Sequence, residues 1–263
     1  YNSAYAAYAV QIGSDAGSNS TAAGHAIQIG HSAGANSTIA DYATQIGYGA
    51  GASSTTASST VQIGYGAGQI SKDATSAVQI GSNAGYNSTT ASITVQIGAG
   101  AGYNSTYSSY GTLIGVQAGY NCTNANGAVH VGYQAGYNAS TGSYSTFIGS
   151  NADTLNSALN VQRSIAIGYN AKVSGSNMAV IGGTGADAVK VGIGTTSPLN
   201  TLEVVGNVSA SSFTGSYFGT SSWSTNALTS SYLNSTASWA QSASNAINSQ
   251  TASYLPVGTY SVT

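Results

Sequence analysis

Residues 95–121 read VQIGAGAGYNSTYSSYGTLIGVQAGYN, and the second half restates the first: VQIGAGAGYN at 95–104 returns as TLIGVQAGYN at 112–121. Following that echo in both directions gives a column of glycines at Gly13, Gly30, Gly47, Gly64, Gly81, Gly98, Gly115, Gly132 and Gly149, each step being 17 residues. Two further copies stand at Gly168 and Gly182, after steps of 19 and 14. A fixed period of this length is the mark of a solenoid, in which each copy is one coil that is stable only against its neighbours.

The columns around that glycine carry the local physics. Ile or Val precedes it in every copy, from Ile12 to Ile181, and a mostly β-branched residue (Val10, Ile27, Val61, Val78, Val95, Val129, Ile165) lies two positions earlier. Between them six successive copies place Gln11, Gln28, Gln45, Gln62, Gln79 and Gln96. Alternation with period two predicts a short strand with Ile and Val on one face and Gln on the other. Stacked identical amides are expected to form a structural ladder. Ala16 through Ala171 and a second glycine, Gly17 to Gly136 with Asp153 ending the series, predict a tight corner. Asn19, Asn36, Asn87 and Asn104 supply turn chemistry before a second, weaker strand.

The expected fold is therefore all-β: a parallel β-solenoid or β-roll of 17-residue coils. About eleven coils at the inter-strand spacing make a rod on the order of 50 Å long. Counting Ile, Val and Ala as the buried set, one coil hides little apolar surface, so either the coils close on themselves very narrowly or several chains share a core, which suits a homotrimer. Residues 1–150 form the solenoid in this reading, and 151–186 a further set of coils. Residues 187–206, with VKVGIG and TLEVVG around TTSPLN, form a β-hairpin collar. Residues 207–263 form a Ser/Ala-rich stalk with spaced aromatics at Trp223, Tyr232, Trp239 and Tyr254. Tyr232, Trp239 and Ala246 are seven apart, which suits a trimeric helical seam; an intertwined flexible stalk is the alternative.

Composition narrows function. Charged residues are 4% of the chain, where about 25% is usual. Four scattered basic residues (Lys72, Arg163, Lys172, Lys190) build no footprint for nucleic acid. Without a run of 18 apolar residues, no membrane-inserting helix is expected. The single cysteine, Cys122, stands where sister copies carry Ser and is expected to be an inert small side chain. His25, His31 and His130 fall in three different columns, as do the acids Asp15, Asp41 and Asp73. That scatter argues against nucleophilic triads and paired carboxylates, so no enzyme activity, cofactor or metal is expected; Asp15 and His31 are read as a surface pair.

The aligned tyrosines Tyr86, Tyr103, Tyr120 and Tyr137 are the most distinctive candidates. They are expected as an interface or self-packed ladder, or as contacts for the sugar rings of a glycan.

The stretch SIAIGYNAKVSGSNMAVIGG at 164–183 resembles the head repeats of YadA-type trimeric autotransporter adhesins, whose S-x-A-I-G-x-x-A units build trimeric left-handed parallel β-rolls. The coils of 151–186 are accordingly expected to be adhesin-head-like. GYQAGYNASTGSYSTFIGSNA at 132–152 resembles repeats of bacteriophage tail-fibre proteins of the type carrying an endosialidase-like intramolecular chaperone. VGIGTTSPLNTLEVVGNVSASSFTGS at 191–216 is similar to the segment that follows such repeats. The likeness spans roughly 1–216, although the 17-residue period exceeds that of the adhesin heads. Tyr1, Asn2 and Ser3 share columns with Tyr86, Asn87 and Ser88, so the chain is expected to be a segment of a longer fibre. The resemblance implies an extracellular homotrimeric fibre: a phage tail-fibre shaft presenting a tip to a host glycan or protein receptor, or a bacterial surface adhesin. An ice- or glycan-binding solenoid is the more distant alternative.

Overall fold

The structure is a computed structural model that describes residues 8–157, 160–209 and 211. Nine three-residue strands recur along the chain: β1 (Val10–Ile12), β2 (Ile27–Ile29), β3 (Thr44–Ile46), β4 (Val61–Ile63), β5 (Val78–Ile80), β6 (Val95–Ile97), β7 (Thr112–Ile114), β8 (Val129–Val131) and β9 (Thr146–Ile148). With β11 (Ile165–Ile167) and β13 (Ala179–Ile181) they form one eleven-stranded parallel sheet in chain order. Pairing is in register column by column: Val61 faces Val78, Gln62 faces Gln79 and Ile63 faces Ile80. The chain is thus a parallel β-solenoid with 17-residue coils, and among the described residues there is no α-helix.

The return side of each coil is thinner than a second strand. One residue per coil makes an isolated parallel bridge, running Ala22, Ile39, Thr56, Asp73, Thr90, Tyr107, Asn124 and Thr141. Between strand and bridge the backbone turns through left-handed residues. Asp15 (φ 55°), Asn19 (φ 56°) and His25 (φ 59°) are the non-glycine examples in one coil, and their equivalents repeat the values.

Two glycine columns are demanded by space. A Cβ on Gly13 would lie 2.6 Å from the carbonyl oxygen of Gly30 in the next coil, so the first column sets how closely coils approach. The second column, Gly17 to Gly136, lines the interior, where a Cβ would fall on the residue in the middle of the strand.

That interior inverts one expectation. Val and Ile do not fill the core: Gln28, Gln45, Gln62, Gln79 and Gln96 are fully buried, while Val10, Ile12 and Ile27 at one end and Ile148, Ile165, Ile167 and Ile181 at the other are exposed and the flanking residues of β3 to β8 half-exposed. The coil is too narrow for two rows of branched side chains. Its interior holds one long residue per coil plus Ala and Ser, such as Ala33, Ala40, Ala43 and Ser37. The strand therefore turns its middle residue inward and both flanking residues outward.

The period loosens after β9. β10 (Asp153–Thr154) pairs in parallel with β12 (Lys172–Val173), giving these coils a second short strand. The hairpin expected over 187–206 is corrected. β14 (Val191–Ile193) and β15 (Leu202–Val204) pair in parallel, Val191 with Leu202 and Ile193 with Val204. The TTSPLN segment is thus a crossover that brings the chain back to start in the same direction, not a reversal. These coils end the compact unit that closes at Asn207; a second unit starts at Val208. The expected stalk, with Trp223, Tyr232, Trp239 and Tyr254, lies outside the described residues apart from its first few positions.

Candidate functional site

Three structured features offer themselves: the interior ladder, the aromatic columns and the outward face of the sheet.

The ladder starts at the strand centres. Nε2 of Gln11 donates to Oε1 of Gln28 at 2.9 Å, and the same bond joins Gln28 to Gln45, Gln45 to Gln62, Gln62 to Gln79 and Gln79 to Gln96 at 2.8–2.9 Å. Gln96 ends the series by donating to Oγ of Ser108 at 3.3 Å. Each buried amide needs both a donor and an acceptor, and an identical residue one coil away supplies both, so the desolvation cost of the polar core is met. Beside it Ser20, Ser37, Ser54, Ser71, Ser88 and Ser105 each donate to a glycine carbonyl of the next coil, over distances of 2.6–3.3 Å.

Beyond Gln96 the interior becomes apolar. Leu113, His130 and Phe147 occupy the Gln column, packed with Ala118, Cys122, Ala135 and Val161. His130 stacks on Phe147 with ring centroids 5.0 Å apart, and neither ring nitrogen has a hydrogen-bond partner. Burial alone holds its pKa down at about 4. Cys122 continues the Ser column; its thiol donates to the carbonyl of Ala139 at 2.7 Å, and burial pushes its pKa up to about 12. Such a thiol is no nucleophile at neutral pH. Asp153 is buried where the glycine series stops. Its carboxylate accepts the backbone N–H groups of Asn138 and Thr154, each at 2.8 Å, and faces Lys172 at 4.0 Å. Burial raises its pKa against the pull of those donors and of Lys172.

The tyrosines stack. Tyr86, Tyr103, Tyr120 and Tyr137 form a continuous column with centroids 4.9–5.2 Å apart and ring planes within 9°. Burial, and then the neighbouring Tyr103 and Tyr137 hydroxyls, raise the pKa of Tyr120. Within the column each inner ring has both faces covered by its neighbours, leaving edges and phenol oxygens for solvent. That geometry is a ladder. Beside it, Gly100 lies between Asn83 and Gln117 of the adjoining coils, and a shallow depression of about 330 Å³ opens there, flanked by Tyr103 and Tyr120.

Other aromatic columns were not singled out by the sequence reading. His25 lies between Tyr8 and Tyr42 at 5.2 and 4.8 Å, and His31, Tyr48 and Tyr65 form another stack. The column positions of these residues, 17 apart, were the available signal.

Of the titratable groups the sequence offered, Asp15, Asp41, Asp73, His25 and His31 each keep to a local partner. Asp15 accepts from Ser14 at 3.2 Å, whereas His31 bonds Ser32 at 3.0 Å, so each uses its own neighbour. The closer pair is His25 with Asp41, at 3.6 Å. Asp73 accepts from Thr75 at 3.2 Å. Among the described residues no three His, Cys, Asp or Glu side chains gather to hold a metal ion. No helix there is long and apolar enough to cross a membrane.

The outward face consists of the residues flanking each strand centre. Its 22 positions, two per strand over eleven strands, are Val or Ile except for Thr44, Thr112, Thr146 and Ala179. No protein-family model, curated protein or solved structure matches the chain.

Proposed function

We propose that this chain is a structural and adhesive fibre segment: a rigid, homotrimeric β-solenoid shaft of the bacteriophage tail-fibre kind, which holds a receptor-binding tip away from the particle. The observation that carries this reading is the unbroken sheet. Eleven strands stack in one register, with one interior ladder handing over to the next. That is the construction of a spacer, in which every coil does the same mechanical task. The motifs at 132–152 and 164–183 support an extracellular fibre, on a virion or, in the second reading, on a bacterial surface as a trimeric adhesin. In this reading the chain catalyses nothing and needs no cofactor. It meets a host glycan or protein receptor through this or a neighbouring region.

The test is immunogold electron microscopy with antibodies raised against the segment, on virions and on cells that produce the protein. Label along tail fibres is the expected result. Label on extended bacterial surface fibres selects the adhesin, and label confined to compact soluble particles overturns the fibre reading altogether. Light scattering on the purified chain is expected to give three times the 26.0 kDa of one copy.

A further inference from the structure

The structure leaves one surface without a partner that matches its character. The outward face carries Val or Ile at 18 of 22 positions and no charged residue. It is continuous, because each strand is three residues long and adds its two outward side chains in register with the last. Ile12 is 57% exposed and Ile181 55% at the two ends, and the strip residues of β3 to β8 between them are half-exposed. Scattered surface hydrophobics need no explanation, but an apolar strip that runs the full length of the sheet does.

We infer that this Val/Ile face is the subunit interface, and that its occupant is the same face of further copies of this chain, aligned along a common axis. The inference rests on the homotrimeric fibre reading and supplies the surface that reading requires.

Three arguments favour a copy over any other partner. The first is pitch. Side-chain ridges recur at the inter-strand spacing of about 4.8 Å, and only a surface with the same repeat can interdigitate with them over eleven coils. The second is area. The strip offers on the order of 1,000 Å² per copy; shared between two neighbours in a trimer, that is ~1,000 Å² of total surface buried per pair, the size at which a specific interface begins. The third is charge. With none on the face and a net charge of −2 on the chain, nothing opposes like meeting like. The same lack of basic residues leaves a membrane surface nothing to attract. The flanking columns, two residues beyond the strip on either side, add exposed tyrosines such as Tyr48, Tyr65, Tyr110 and Tyr144. Tyrosine suits an interface rim because its ring buries while its hydroxyl stays wet.

The test uses the full chain and two paired variants. V61K/V78K places stacked lysines on the strip, and T38K/T55K places the same stacked pair on exposed corner positions of neighbouring coils. Light scattering is expected to give three chains for the parent and the corner variant, and a threefold lower mass for the strip variant with an unchanged circular dichroism spectrum. Should the strip variant fail to fold, single-cysteine reactivity replaces it, since native Cys122 is buried. Maleimide labelling of I27C, a strip position exposed in the single chain as Thr55 is, is expected to be slower than that of T55C by about tenfold or more, as in a water-excluding interface core.

An oligomer that survives V61K/V78K, or that labels equally at I27C and T55C, overturns the interface while leaving the trimeric fibre standing. A parent chain that stays at one copy at every concentration overturns both. A single-copy chain that instead floats with phosphatidylcholine vesicles through the strip assigns the face to lipid and overturns the inference.

Discussion

A Cβ placed on Gly51 falls on the carboxamide nitrogen of Gln45. Six residues apart in the chain, the two compete for one volume, and the coil closes only because one of them has no side chain. The Gln column and the second glycine column are therefore a single device, and substitutions in one are felt through the other.

Gly51→Ala combines overpacking with a left-handed backbone, φ 66°. The expected loss is about 2–4 kcal/mol from the two effects together. Gly185 has a similar φ of 63° and open space around its missing Cβ, so Gly185→Ala isolates the backbone part, about 1 kcal/mol. Urea denaturation of both, with Gln45→Ala added to Gly51→Ala, checks the shared volume. The double variant is expected to lose less than the sum of its singles.

The amide ladder predicts a specific sensitivity to charge. Gln79 accepts from Gln62 and donates to Gln96. Gln79→Glu keeps the shape but turns two oxygens towards each other at the Gln96 end and buries a carboxylate. A loss of about 3 kcal/mol or more at neutral pH is expected. Because burial raises a carboxyl pKa in the folded state, the proton is bound more tightly there, and stability relative to the parent recovers as pH falls. Parallel urea titrations from pH 8 to 5 measure it; a pH-independent difference would contradict the ladder.

His130 sets a pH limit on the apolar half of the solenoid. Its folded pKa of about 4 lies below the ordinary 6.5, so the unfolded chain takes up the proton first. Its contribution is whole above pH 6.5 and is lost as pH falls towards 4, about 3 kcal/mol in all at 1.36 kcal/mol per unit. His130→Phe, matching Phe147 of the next coil, is expected to remove that dependence. Thermal melts of parent and variant between pH 7.5 and 4 decide the matter.

Cys122 supplies a probe of coil opening. With its thiol pushed up to about 12 and no exposure, iodoacetamide at pH 8 is expected to leave the folded chain untouched and to alkylate it fully in urea. Cys122→Ser restores the hydroxyl of the six preceding copies and is expected to change stability by less than about 1 kcal/mol.

The period, the strand and the parallel stacking were legible because identical columns can be counted. The direction of the strand faces was not, because the ordinary assignment puts Val and Ile inside and Gln outside. Val61 and Ile63 flank a buried Gln62 instead. A signal for the inversion stood in the sequence: the Gln column is continued by Leu113, Phe147 and Ala166, substitutions that a solvent-facing column does not favour. The parallel pairing of β14 and β15 was hidden for another reason. Pro198 and the surrounding polar residues mark a turn but do not say whether the chain reverses or crosses over. The tyrosine column was visible by spacing, but whether its rings would show faces or edges depended on how closely the coils stack.

The same stacking fixes how the rod answers a pull. Each coil winds 17 residues into about 4.8 Å of axis, whereas those residues drawn out straight reach about 58 Å. Axial tension is shared among the hydrogen bonds that join one coil to the next, such as Gly47 N–H to Ile29 and Gly64 N–H to Ile46. A coil that lets go lengthens the chain roughly twelvefold over its own share of the axis. The segment is stiff until its end coil peels, and then behaves as a spool that pays out slack one turn at a time.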